Sequence, residues 1–186
     1  MDSLLTRIST RIEDPNLRNS TSKYRTAGVH IYPPTDLATI DSAEVSLGFG
    51  LPDLLREIYL HIANGGIGPG YGGIYGLSRG SPAYDGHGKE HDLVSIYHLY
   101  RGSGAIFPVQ HNFAHGSLFS MHWLDRLRPK CAWGDDMYSC IDCSKDSSPV
   151  LFYVAYGGEF SLHSSSFESW IEEWLSGIDL WKKVMG

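Results

Sequence analysis

Leu47-Gly-Phe-Gly-Leu-Pro-Asp-Leu-Leu-Arg-Glu-Ile-Tyr59, and after it Asn64-Gly-Gly-Ile-Gly-Pro-Gly-Tyr71-Gly72, is the stretch on which the reading of the fold turns. Pro52 suits the first turn of a helix, where its missing N–H would have no partner anyway, and Asp53 places an acid near the positive helix end. Leu54, Leu55, Ile58, Tyr59 and Ile62 then share one helical face. Asn64-Gly65-Gly66 stops the helix, because glycine takes the left-handed conformation that follows a last turn. The Gly- and Tyr-rich run beyond it predicts turns, with a short strand at Ile74–Leu77 and an exposed loop from Ser78 to Glu90.

Working outward toward the N-terminus, Asp41 and Glu44 have capping-box spacing, with Ile40 and Val45 placed as its hydrophobic staple; Gly48 and Gly50 end that short helix. Residues Asp14–Pro34 are polar and Pro-punctuated, apart from an apolar patch at Val29–Tyr32, and read as a connector. Before them Leu4, Leu5, Ile8 and Ile12 share a helical face. The chain therefore divides into a helix plus connector, 1–34, and a domain, 35–186.

Toward the C-terminus, Asp92 is placed to cap a helix over Leu93–Tyr100, and residues 105–129 show no clear pattern. Cys131–Ile141 predicts two short strands joined at Gly134–Asp136. Val150–Ala155 and Phe160–Leu162 predict two more, with Gly157-Gly158 as a hairpin signal. Ser165 and Glu168 form a second capping box ahead of Phe167, Trp170, Ile171, Trp174 and Leu175, and Gly177 ends the helix. Helices, then hairpin-linked strands, then a helix: that segregation predicts an α+β fold.

Composition narrows the function. Five Trp, eleven Tyr and seven Phe among 186 residues, 42% of them hydrophobic, exclude a disordered chain. Fifteen basic against 21 acidic residues give a net charge of −6. That sign disfavours nucleic acid, whose phosphates need a basic surface, and suits a basic protein partner. Asp2, Arg7 and Arg11 interrupt the apolar residues of Met1–Ile12, so no secretory signal is expected there, and no run reaches the ~18 apolar residues of a membrane span. Three cysteines, an odd number, give no complete disulfide framework and point to a reducing cytoplasm.

Four chemistries compete with simpler readings. Cys140-x-x-Cys143 with Cys131 falls short of the four Cys or His ligands of structural zinc, and packing as small apolar residues is the preferred reading. His87/His91 and His111/His115 have helical i, i+4 spacing but lack the acid of H-E-x-x-H. The Gly65–Gly76 segment lacks the G-K-[ST] ending of a phosphate loop and follows a helix instead of opening one. Cys143, Ser120 and Ser165 carry no signature of an activated nucleophile. No catalytic residue, metal or cofactor is expected.

With the motifs in place, the chain resembles the SUKH superfamily, in particular the branch related to the fungal cell-wall-assembly regulator. The resemblance runs from Glu44 to about Leu175. Glu44-x-x-Leu47-Gly48-x-x-Leu51-Pro52, Asn64-Gly65-Gly66-x-Gly-Pro-Gly-Tyr-Gly, Trp133-Gly134 and the Phe167–Leu175 helix with Trp170 and Trp174 carry it. Asp135-Asp136 departs from the small residue the family favours after Trp-Gly. The resemblance implies a single mixed, mostly antiparallel sheet with helices packed around it, no cofactor and a non-catalytic role. It implies an immunity protein that binds and neutralises a cognate toxin, such as a basic nuclease domain. A regulatory scaffold in cell-envelope or signalling assembly is the alternative, and a small zinc protein or enzyme the third. Expected partner-binding residues are the loop aromatics Tyr71, Tyr75 and Tyr84 and the turn acids Asp85, Asp135 and Asp136.

Overall fold

The computed structural model describes residues 3–14, 30–70, 72–84, 88–102, 126–134, 137–154 and 159–185. Ser3 accepts the Thr6 amide and opens α1 (Leu4–Glu13), whose Ile8 is fully buried. α1 docks far along the chain, on α5 (Phe167–Leu175). Arg7 Nη1 meets Glu172 Oε1 at 2.7 Å. The Arg11 guanidinium lies 4.7 Å from the Trp174 ring centroid and donates to the Leu175 carbonyl. The apolar stem of Arg11 is thus buried while its charge keeps an aromatic face and a carbonyl. Most of the expected connector, residues 15–29, lies outside the described residues.

The second helix does not start where its capping box indicated. α2 runs Leu37–Leu47, and its cap is Asp36, whose Oδ1 accepts the Thr39 amide at 2.8 Å. Asp41 sits inside the helix, and Val45, the expected staple, is 83% exposed. Glu44 is drawn forward instead of back: Oε1 accepts the Leu51 amide at 2.6 Å, and Oε2 binds Arg56, which also reaches Asp41. This contact explains the Glu44-x-x-Leu47-Gly48 spacing. Gly48, left-handed at φ +79°, turns the chain so that the Leu51 N–H returns to the carboxylate. Pro52 then opens α3 (Asp53–His61), which buries Leu55, Ile58 and Tyr59. Glu44→Ala is expected to cost about 2 kcal/mol, because it orphans the Leu51 amide and leaves Arg56 only its longer contact with Asp41; the shift in urea midpoint at unchanged slope measures it.

Residues 63–67, 69–70 and 73–77 are buried although they include five of the seven glycines of the Gly65–Gly76 run. Ile74–Leu77 is irregular, not the expected strand, and the expected exposed loop holds a ribbon of β1 (Ala83–Tyr84) and β2 (Glu90–His91), with Ala83 and Ser81 buried. Asp92 caps α4 (Leu93–Gly102) as expected, Oδ1 accepting the Ser95 amide at 2.7 Å.

β3 (Leu127–Gly134), β4 (Met137–Asp142), β5 (Val150–Val154) and β6 (Glu159–Ser164) form one antiparallel sheet in chain order. All six residues of β4 are buried, so this strand is covered on both faces. Met137, Ile141, Val150 and Phe152 join the main core, while Tyr138, Cys140, Leu151, Tyr153 and Phe160 cluster on the other face, following the two-residue alternation of a strand. α5 is capped by Ser166, one residue after the expected Ser165, through the Ser169 amide. Beyond Gly177 a helix not anticipated from the sequence, α6 (Leu180–Met185), lays Trp181 against Trp133 and Phe152. The architecture is α+β, its strands divided between an antiparallel four-stranded sheet and a separate two-stranded ribbon.

Candidate interaction surface

The motif residues are drawn inward. Asn64 is 3% exposed; its Oδ1 accepts the Leu77 amide at 2.8 Å and its Nδ2 donates to the Ser78 carbonyl at 3.1 Å. Its own amide reaches back to the Tyr32 carbonyl, and its carbonyl accepts the Ser81 amide. One side chain and one peptide unit thus sew together segments near 32, 64, 77 and 81. A β-carbon at Gly66 would collide with the His30 carbonyl, and one at Gly65 would lie 2.6 Å from the Ile74 carbonyl oxygen. The glycines allow backbone to pack on backbone, not a phosphate to approach.

A second polar knot holds the sheet to its helices. Trp133 Nε1 donates to Ser139 Oγ at 2.8 Å, and Ser139 Oγ lies 3.0 Å from His163 Nδ1. His163 Nε2 is 3.1 Å from the Leu180 carbonyl, which only accepts, so Nε2 carries the proton and Nδ1 takes the Ser139 hydroxyl. Trp170 Nε1 approaches the same Nδ1 at 3.4 Å. A serine and a histidine therefore meet here, at 0% exposure each. Trp133 occupies the serine oxygen and rings of Trp133, Phe152 and Trp170 surround the imidazole. Neither group presents surface to solvent. The pair locks β4 and β6 to α6.

None of the three cysteines is joined in a disulfide. Cys131 belongs to the main core and Cys140 to the cluster on the other sheet face. Among the described residues no group of three or more His, Cys, Asp or Glu is arranged to hold a metal ion. Burial, reinforced by nearby Cys131, pushes the Cys140 thiol well above its usual range. Cys143 is half-buried at the edge of a polar hollow lined by Arg126 and Lys145. A disulfide reagent is expected to label Cys143 in the native protein, and Cys131 and Cys140 only after denaturation. Native labelling of all three at similar rates contradicts that placement.

Tyr75 is corrected. Expected as a surface anchor, it is 4% exposed, and its carbonyl accepts the Tyr59 hydroxyl at 2.5 Å. Tyr84 is 52% exposed on the ribbon, its hydroxyl donating to Glu90 Oε1 at 3.0 Å. Tyr71, Asp85, Asp135 and Asp136 lie outside the described residues, as do His87, His111, His115, Ser120 and Gly157-Gly158. The fold-motif residues stand in the scaffold: Leu51, Asn64, Trp133, Trp170 and Trp174 are buried, Pro52 opens α3, and Gly65, Gly66 and Gly134 have positive φ.

With the Asn64 and Trp133 knots both built from the motif blocks, the family follows. The chain belongs to the SMI1/KNR4 family (SUKH-1), whose sequence profile matches residues 34–173. No protein of curated function matches the chain. In this SUKH-1 domain the surface beside the knots carries a feature that no sequence motif marks. A trough runs along α2, lined by Asp36, Thr39, Ser42, Ser78, Asp92 and Val94, and continues past Pro33 and Pro34 to Arg79. Arg79 holds a left-handed backbone at φ +61°, an uncommon conformation for a residue with a β-carbon. The available signal was weak: Asp36 ahead of a helix, and a helix apolar on more than one side. No helix among the described residues is long and apolar enough to cross a membrane.

Proposed function

We propose that this SUKH-1 protein is a non-catalytic binding module of the immunity type, which neutralises a cognate toxin by covering its working surface. One observation carries the reading. The polar groups of the shared motifs are consumed inside the scaffold, the Asn64 amide by backbone and the Trp133 indole N–H by Ser139, which is itself held by the buried His163. What remains for function is the outer surface. The net charge of −6 favours a partner with a basic face, such as a nuclease domain, since complementary fields speed encounter and discourage wrong partners. Tyr84 is the proposed exposed anchor among the described residues, and Tyr71, Asp85, Asp135 and Asp136 complete the proposed contact set. A direct nucleic-acid target is disfavoured by the same charge. No metal or cofactor enters the proposal, and the protein is taken to act in the cytoplasm.

Co-expression with a toxin encoded beside its gene tests this. Wild-type chain is expected to restore growth and to be recovered bound to the toxin. Survival without a recoverable complex, or no protection at all, contradicts it. A regulatory scaffold would instead be found without an adjacent toxin gene.

A further inference from the structure

α2 is apolar on more of its circumference than its packing uses. Ile40, Ala43 and Leu47 face the core, yet Val45 on the far side stays 83% exposed and Leu37, on the flank one turn before Asp41, 51%. A surface helix of a self-sufficient domain is polar on that side. At 3.6 residues per turn, Val45 lies beside Ala38 and Ser42, which form the α2 wall of the trough; Ser78, Asp92 and Val94 line it too.

The charges bordering this ridge are mainly acidic. Asp36, Asp41 and Asp92 lie on or beside it, and the nearby cation Arg56 is already shared by Glu44 and Asp41. Arg79 stands at the far end. Asp36 and Asp92 are fixed in orientation because one oxygen of each caps a helix. Bonds from the Thr39 hydroxyl and amide hold the Asp36 carboxyl below the usual carboxylate range, so it stays charged. A second copy of the chain would bring like charges together on such a face, and an anionic membrane or nucleic acid would be repelled.

We infer that the outer face of α2 and its adjoining trough dock a basic protein segment, with aliphatic side chains on Leu37 and Val45 and lysine or arginine at Asp36, Asp41 and Asp92. This inference rests on the interaction-module reading and names the face it uses. Tyr84 is linked to that face through the ribbon, whose strand β2 runs directly into Asp92.

The test titrates the ¹⁵N-labelled full chain with a synthetic peptide alternating lysine and leucine, and separately with its glutamate–leucine counterpart. Saturable amide shifts centred on α2 and Asp92–Val94, with the basic peptide only, are expected. Asp36→Asn/Asp92→Asn keeps both caps, since Asn caps as well as Asp. It is expected to weaken the basic peptide roughly fivefold, and Val45→Ser to weaken it further. Shifts centred elsewhere, or equal for both peptides, overturn the inference. A neighbouring toxin separates the two levels. If wild-type chain does not bind it, the immunity reading fails while the peptide map still stands. If wild-type binds and these variants bind equally well, the immunity reading survives and the docking face lies elsewhere.

Discussion

Trp133→Ala is expected to remove about 3–5 kcal/mol of folding stability, a large part of the ~5–15 kcal/mol a domain of this kind possesses. The indole is 0% exposed, packs on Trp181 and His163, and donates to Ser139. Alanine leaves a cavity where strands β3 to β6 meet α5 and α6, and deprives the Ser139 oxygen of its indole donor. Trp133→Phe separates the two effects. It retains most of the packing and loses only the donor, for about 1–2 kcal/mol. Urea unfolding followed by far-UV circular dichroism reads both. A loss below ~1 kcal/mol for the alanine variant, well short of the usual cavity cost, would show that the Trp133 knot does not hold the sheet to its helices.

The second large effect is at Gly66. Its φ is +79°, and an added β-carbon would run into the backbone carbonyl of His30, which has no side chain to swing away. Gly66→Ala is therefore expected to cost about 3 kcal/mol, the sum of left-handed strain and overpacking. Gly72 supplies the control. It has φ +69° and nothing within 4 Å of the place an added methyl would take, so Gly72→Ala should cost only the backbone term, about 1 kcal/mol. Equal losses at both positions would mean that backbone contact between the His30 and Gly66 segments contributes nothing.

These two sites also show what can be read from residues alone. Trp133, Trp170 and Trp174 were legible as scaffold because they sit in strand and helix patterns with an apolar face. Gly65 and Gly66 were legible as a helix stop. That Gly66 must meet His30 was not, because this contact joins segments separated by two helices, whose packing together no local spacing reports. Cap positions failed by five residues at α2 and by one at α5 for a common reason. Asp36 and Asp41, or Ser165 and Ser166, offer the same local chemistry, and distant groups choose between them. Glu44 is claimed by the Leu51 amide and Arg56, which leaves Asp41 without its box partner. Tyr75 misled because a Gly-rich run signals turns without saying whether they fold onto the core or away from it. The Ser139–His163 pair joins β4 to β6 across β5, so no spacing announces it. α6 has only six residues, too few for a face to repeat. The trough along α2 was missed because apolar residues on two sides of a helix blur the periodicity by which a buried face is recognised.

An activity titration of the neighbouring toxin against purified chain tests most directly whether this protein works by occupation and not by catalysis. Toxin activity should fall in proportion to added protein and reach its floor at a fixed stoichiometry, with the toxin's intact mass unchanged. Inactivation of excess toxin by a small fraction of an equivalent, or a covalent change in its mass, would contradict it.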